Sequence, residues 1–307
     1  MRRSAHRPKF SYVLVVGMWT IAIIAVLTFI VLWFILTRQQ EPFTLKEIPK
    51  TVWTYWDSEQ LPEFIQKSVD KMKQMNFGWT INVLHPGNLR EYLPDVDIFK
   101  FKFADSKPRQ SDFVRLHILP KYGGVWCDAS IVPQTSFEWV IDEQKKRGVE
   151  FIGYYREGAT TKPEYPVIES WFFACIPGCD FVSKWRDELG VMNTLNKETD
   201  YKEHVTSRGV DIQNIPQPDY LNVYLSAQAV MQTQMTPDEI KSKIHVLDAE
   251  SGPFKHSIEN NWEEPKSMKW LCDQAKHELP DMIKVYGNER RAIEADESLK
   301  CSYKIFD

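Results

Sequence analysis

The sequence contains no Asn-x-Ser/Thr triplet, no internal repeat and no low-complexity tract. Passage through a secretory compartment would therefore leave no N-glycan on it, and repeat architectures are excluded. Cysteine is scarce and odd in number. Cys127, Cys175, Cys179, Cys272 and Cys301 follow no zinc-site spacing, and in an oxidising lumen at least one must stay unpaired or pair between chains. Cys127 reads as core, and a Cys175–Cys179 bridge is left open. A basic excess is also missing: the formal net charge is −4, with Arg2, Arg3, Arg7, Lys9 and Arg38 preceding the first acid, Glu41. The remainder is thus markedly acidic and offers no surface for nucleic acid.

At 307 residues, 43% hydrophobic and 26% charged, the chain can build one sizeable globular domain plus an attachment. Residues 11–36 hold no charge and are dominated by Val, Ile, Leu, Phe and Trp, long enough for a transmembrane helix. A cleaved signal peptide would have a shorter apolar core and a small-residue cleavage site. The expected organisation is a cytosolic tail at 1–10, a signal anchor at 11–36, a short stem at 37–47 and a catalytic domain at 48–307. Four basic residues before the span orient it with the domain across the membrane, as a single-pass type II protein.

The run from Ser111 to Pro133, SDFVRLHILPKYGGVWCDASIVP, organises the rest. Its apolar residues recur at helical spacing, with Asp112 and Arg115 three apart on one side. Gly123-Gly124 ends the helix. Val125-Trp126-Cys127 suits a covered strand that delivers Asp128 and Ser130 to the carboxyl edge of a sheet, where open α/β folds bind ligands. Strands are predicted at 51–56, 79–84, 150–155, 168–176 and 244–247. Helices are predicted from Pro62, over 89–93, 137–146, 180–189 and 221–232, and Ser251–Ile258 reads as a loop. This alternation predicts a single doubly wound α/β domain with a mixed sheet.

The central run, with IPKTVWTYWDS before it and IESWFFACIPGCDFVSKWRDEL after it, resembles the capsular polysaccharide synthesis family and related glycosyltransferases with a DXD sugar-binding region. The three blocks keep the family's order. One departure is Asp128-Ala129-Ser130 where many relatives have Asp-x-Asp. The resemblance implies a GT-A-type nucleotide-diphosphosugar fold and transfer of a hexosyl unit from a nucleotide sugar, UDP-linked, to a glycan or glycoconjugate hydroxyl, with retention of configuration as a second expectation. A nucleotide-sugar supply then favours the Golgi lumen. Other readings are a non-catalytic glycan-binding or scaffold subunit of the same fold, and a sugar-phosphate transferase.

Breaking a bond to a diphosphate calls for positive charge on the leaving group, which a divalent cation supplies. Mg²⁺ or Mn²⁺ needs only one or two carboxylates beside phosphate and water, so Asp128 can serve alone, with Ser130 as a weak ligand. His256, in the loop with Lys255, is a further ligand candidate in this fold; His245 and Asp248 are weaker ones. The alternative for Asp128 is a turn cap. By the resemblance, Ser111, Asp112 and Arg115 lie against the donor sugar, the bland alternative being an exposed helical ion pair. Trp53 and Tyr55 divide between strand core and a contact to the base. Glu169 is a carboxylate within an apolar run, which must be paired or employed; with Ser170 and Trp171 the resemblance places it near the donor. The expected catalytic set is Asp128, Glu169 and Arg115.

Overall fold

The computed structural model describes residues 24–30, 33 and 46–307. Residues 24–30 and 33 are helical, with Ile24, Leu27, Phe29 and Trp33 exposed. The tail, most of the 11–36 span and the stem up to residue 45 lie outside the described residues. No helix among those described is long and apolar enough to cross a membrane.

Residues 46–307 belong to one compact unit. Its main sheet contains β1 (Thr51–Tyr55), β2 (Thr80–Leu84), β3 (Gly124–Cys127), β5 (Phe151–Tyr155), β6 (Ile168–Cys175) and β7 (Ile244–Asp248), in the order β2-β1-β3-β6-β5-β7. A separate pair joins β4 (Ile131–Pro133) to β8 (Met282–Lys284) antiparallel. In the main sheet only β6 runs against its neighbours. One edge therefore gathers the carboxyl ends of β1, β3, β5 and β7 with the start of β6. Val-, Phe- and Trp-rich β3 and β6 are buried along their whole length, as strands covered on both faces must be.

The longer helices are α1 (Glu63–Met75), α2 (Lys107–Tyr122), α3 (Glu138–Arg147), α4 (Asp180–Gly190), α5 (Asn222–Gln234), α6 (Glu264–Asp273) and α7 (Gly287–Ala295). The sequence predicts an amphipathic α2. Instead, Arg109, Gln110, Asp112 and Arg115 are buried together with Phe113, Val114, Leu116 and Ile118, because α2 packs between the sheet and α4. A helix covered on nearly all sides must pair its polar groups internally. At its end Gly124 has φ +96°, and a Cβ there would stand 2.4 Å from the Thr51 carbonyl oxygen. Only glycine lets β3 lie this close to β1.

A smaller apolar cluster unites Phe64 and Ile65 of α1, Val132 of β4, Ile283 and Val285 around β8, Leu271 of α6, Ile293 of α7 and Ile305 of the terminal 3₁₀ segment. A Cys272–Cys301 disulfide ties α6 to that terminal segment, whereas Cys175 and Cys179, the pair left open from sequence, are free buried thiols along with Cys127. The Ser251–Ile258 loop contains a short helix, Lys255–Ile258.

Candidate active site

Asp128 follows β3 directly. Its N–H donates to the Trp171 carbonyl (2.9 Å), extending the β3–β6 ladder by one rung. Its carboxylate is engaged on both oxygens: Oδ1 accepts from Trp126 Nε1 (2.9 Å) and faces Arg115 Nη2 at 3.3 Å, and Oδ2 accepts from Lys284 Nζ at 2.8 Å. Burial alone would raise the Asp128 pKa, but Lys284 and then Arg115, with the two hydrogen bonds, hold it below its ordinary value. Lys284 also donates to Ser130 Oγ (3.2 Å). The register pairing Ile131 with Lys284 across β4–β8 brings this lysine, 156 positions downstream, to the Asp-x-Ser corner.

Arg115 is the buried tie behind that corner. Its Nη1 donates to the Ser170 carbonyl and hydroxyl (2.7 Å each), its Nη2 to Ser111 Oγ (2.8 Å) and its Nε to Ser111 O (3.1 Å). The guanidinium lies 5.1 Å from the Trp126 ring centroid. Asp112 sits between Arg109 Nη1 (2.7 Å) and Arg115 Nη2 (3.5 Å). Burial still pushes its pKa up, against the pull of both arginines. The bland expectation of an exposed helical ion pair is thus overturned: Arg109, Asp112 and Arg115 are all buried. Arg109 also bonds Glu198 and the Tyr220 carbonyl, fixing the loop that carries Gln217 and Tyr220 beside the site.

These groups surround a cleft of about 710 Å³, within the roughly 300–1,000 Å³ of small-ligand sites. Tyr55, Ser111, Asp112, Arg115, Asp128, Ser130, Ser170 and Trp171 of the sequence-derived set line it. Tyr55 donates its hydroxyl to Gln110 Oε1 (2.9 Å), and burial, then Asp57, pushes its pKa up to about 12. Four candidates are not brought to the cleft wall. Trp53 is core, its Nε1 donating to Gly123 O (2.9 Å) between the rings of Tyr92 and Tyr122. Lys255 lies 3.9 Å from Glu259 and over Trp270. His256 is 1% exposed and faces Glu289 at 3.2 Å. Glu169 is 1% exposed behind Tyr224, whose hydroxyl bonds Oε2, while Oε1 has no hydrogen-bond partner among the described residues. Burial raises the Glu169 pKa, opposed by that hydrogen bond. Of the weaker candidates, His245 lies 3.7 Å from Glu143, and Asp248 caps a turn through the N–H groups of Glu250 and Ser251.

Sequence reasoning missed the wall made by Lys284, Tyr286, Gly287, Asn288, Arg290 and Arg291. A usable signal was present, since Lys284 interrupts the apolar run Met282–Val285 just as Glu169 interrupts its own strand. The expected metal donors do not come together: His256 is committed to Glu289, and both Asp128 oxygens and Ser130 Oγ already face Lys284 or Arg115. Among the described residues, no three His, Cys, Asp or Glu side chains are grouped to hold a metal ion. One carboxylate already paired with two cations is a donor set that does not fit a divalent ion.

The cation-lined cleft thus lies at the carboxyl edge of an open mixed α/β sheet, the place where folds of this class take small ligands. The chain belongs to the capsular polysaccharide synthesis protein family, which matches residues 31–272; the wall from Lys284 to Arg291 lies beyond that match. It is similar to "O-glycosyltransferase PaGT" of Phomopsis amygdali, 27% identical over 157 aligned positions (45% of this chain, 37% of the relative). It is also similar to "O-glycosyltransferase braB" of Annulohypoxylon truncatum, 23% identical over 235 positions (68% and 55%). The chain thus spans 37% and 55% of the length of these curated relatives. A solved structure, "PaToxG Glycosyltransferase", aligns over 85% of this chain and 87% of its own at 12% identity and TM-score 0.37.

Proposed function

We propose that the protein is a glycosyltransferase that moves a hexosyl unit from a nucleoside diphosphate sugar, UDP-linked, to a hydroxyl of a glycan or glycoconjugate. The observation carrying this reading is the cleft itself. Five of its lining residues are cationic (Lys107, Arg115, Lys284, Arg290, Arg291) and three anionic (Asp57, Asp112, Asp128), on a chain whose formal net charge is −4. Local charge opposite to the whole is what draws a small dianion to one place. Family membership and the names of the two fungal relatives support an oxygen acceptor. The reversed β6 beside β3 supports a GT-A-type sheet.

In this reading the donor's diphosphate lies against the cationic wall and its sugar against Asp112, Ser111 and Ser170, whose positions Arg115 fixes. The anomeric C–O bond breaks with its electron pair passing to the β-phosphate oxygen. The acceptor oxygen bonds the anomeric carbon and releases its proton to that phosphate oxygen. Attack from the leaving-group face retains configuration. The apolar run at 11–36 supports a type II anchor, and the Cys272–Cys301 disulfide supports an oxidising compartment such as the Golgi lumen.

The test is to incubate the full-length chain with a panel of nucleotide sugars and identify the nucleotide released. A diphosphate supports glycosyl transfer. A monophosphate would replace it with sugar-phosphate transfer, and no turnover of any donor would favour the non-catalytic reading.

A further inference from the structure

Two cations, Lys284 and Arg290, stand on the wall of the cleft that β8 and α7 supply. The Lys284 side chain is only 10% exposed, and its ammonium points to the Asp128–Ser130 corner, whose side chains are the ones expected from sequence to hold a divalent cation. Arg290 is half-buried and has no ion-pair partner among the described residues. Its Nη1 donates to the Val285 carbonyl (3.1 Å), and its guanidinium lies 5.7 Å from the Trp56 ring centroid. Burying Arg290 with no carboxylate at ion-pair distance is costly, since Asp128, Glu294 and Glu289 act on it only from farther off, so an anion entering the cleft would meet charge that is not fully compensated. Beside Arg290, the helix α7 begins at the cleft: Gly287 and Asn288, whose N–H groups fall in its first turn, line the wall together with Arg291. Helix N-termini favour phosphate for reasons of geometry and dipole.

We propose that Lys284 and Arg290, with the first turn of α7, form the diphosphate subsite and supply there the positive charge that a divalent cation would otherwise bring. This rests on the glycosyl-transfer reading above and deepens it. Asp128 then has a different task from metal ligation: it aims Lys284, whose ammonium has three donors, two of them given to Asp128 and Ser130 and the third left for a phosphate oxygen. As the anomeric C–O bond breaks, the pair left on the β-phosphate oxygen develops beside Lys284 and Arg290, where fixed charge is worth most. The acceptor's proton still ends on that phosphate, and neither cation gains or loses one over the reaction.

The experiment uses the full-length chain, with UDP, GDP and ADP as probes of binding and the corresponding sugars as probes of donor hydrolysis, each in EDTA and in Mn²⁺. The expected result is nucleotide binding and hydrolysis in EDTA within about twofold of the values in Mn²⁺. Removing one charged hydrogen-bond donor should weaken binding roughly 10- to 100-fold, in Lys284→Met and in the more accessible Arg290→Gln alike. Added ethylammonium should restore part of the hydrolysis rate to Lys284→Ala, which a purely structural lysine would not allow. Binding and hydrolysis lost in EDTA and recovered with Mn²⁺ would overturn the proposal while leaving glycosyl transfer standing. So would unchanged binding in both Lys284→Met and Arg290→Gln. No binding and no hydrolysis of any probe in either condition would overturn both readings.

Discussion

Glu169 is held by one phenol. Its Oε2 accepts the Tyr224 hydroxyl and its Oε1 has no hydrogen-bond partner among the described residues, both in full burial. Tyr224→Phe removes that hydrogen bond from the carboxyl, so unfolding free energy should fall by about 1–3 kcal/mol. Adding Glu169→Gln removes the charge problem, so the double variant should lose less than the sum of the singles in urea titration. Arg115 poses the opposite case, with every arm of its fork occupied. A lysine cannot span Ser111, Ser170 and Asp128 at once. Arg115→Lys should therefore destabilise by about 2 kcal/mol and loosen the cleft, read as a lower thermal midpoint together with weaker nucleotide binding. That Asp112 and Arg115 lie side by side was legible in the sequence, because three-residue spacing on a helix puts them together. Their burial was not, because periodicity cannot reveal that α4 and the sheet close on α2 from opposite sides. The resemblance suggested His256 as a metal ligand; tertiary pairing with Glu289 took it instead.

At the scale of elements, the close approach of β3 to β1 has a measurable cost if disturbed. Gly124→Ala would place a methyl 2.4 Å from the Thr51 carbonyl, at a backbone conformation disfavoured for alanine. A loss of about 1–3 kcal/mol is expected from strain of this kind. A stability measurement that finds Gly124→Ala neutral would contradict the pairing of Val52 with Val125 across β1 and β3. The Cys272–Cys301 crosslink closes a loop of 29 residues, worth about 3–4 kcal/mol by chain entropy. Replacing both cysteines by alanine should lower the thermal midpoint and, because α6 and the 3₁₀ segment support β8, also weaken donor binding. The strands of the main sheet could be read from runs such as TVWTY and WFFAC, where β-branched and aromatic residues cluster. The three-residue strands β4 and β8 could not, being too short to show alternation. Missing them meant missing Lys284, although its place in an apolar run obeyed the same rule that singled out Glu169.

For the molecule as a whole, the response to acid should begin well above the carboxylate range. Burial, ahead of Arg186, holds His117 below its ordinary 6.5, and burial does the same for His245, ahead of Arg147. The unfolded chain takes up protons near that value while the folded chain does not. Stability is therefore full above pH 6.5 and declines as pH falls through it toward the folded pKa values. Urea titrations across that range should show the decline, and a His117→Gln, His245→Gln variant should flatten it. A cationic cleft on an anionic protein further predicts that nucleotide affinity falls with added salt. Asp128 extends the main-sheet strand β3, whereas Ala129 and the elements carrying the Lys284–Arg291 wall belong to the smaller cluster fastened by β4–β8. A ligand touching Asp128 and that wall together would act as a rivet between the main sheet and the smaller cluster. Amide exchange in residues 264–306 should then slow when nucleotide binds, far more than in β1 or β3, making that layer a reporter of occupancy.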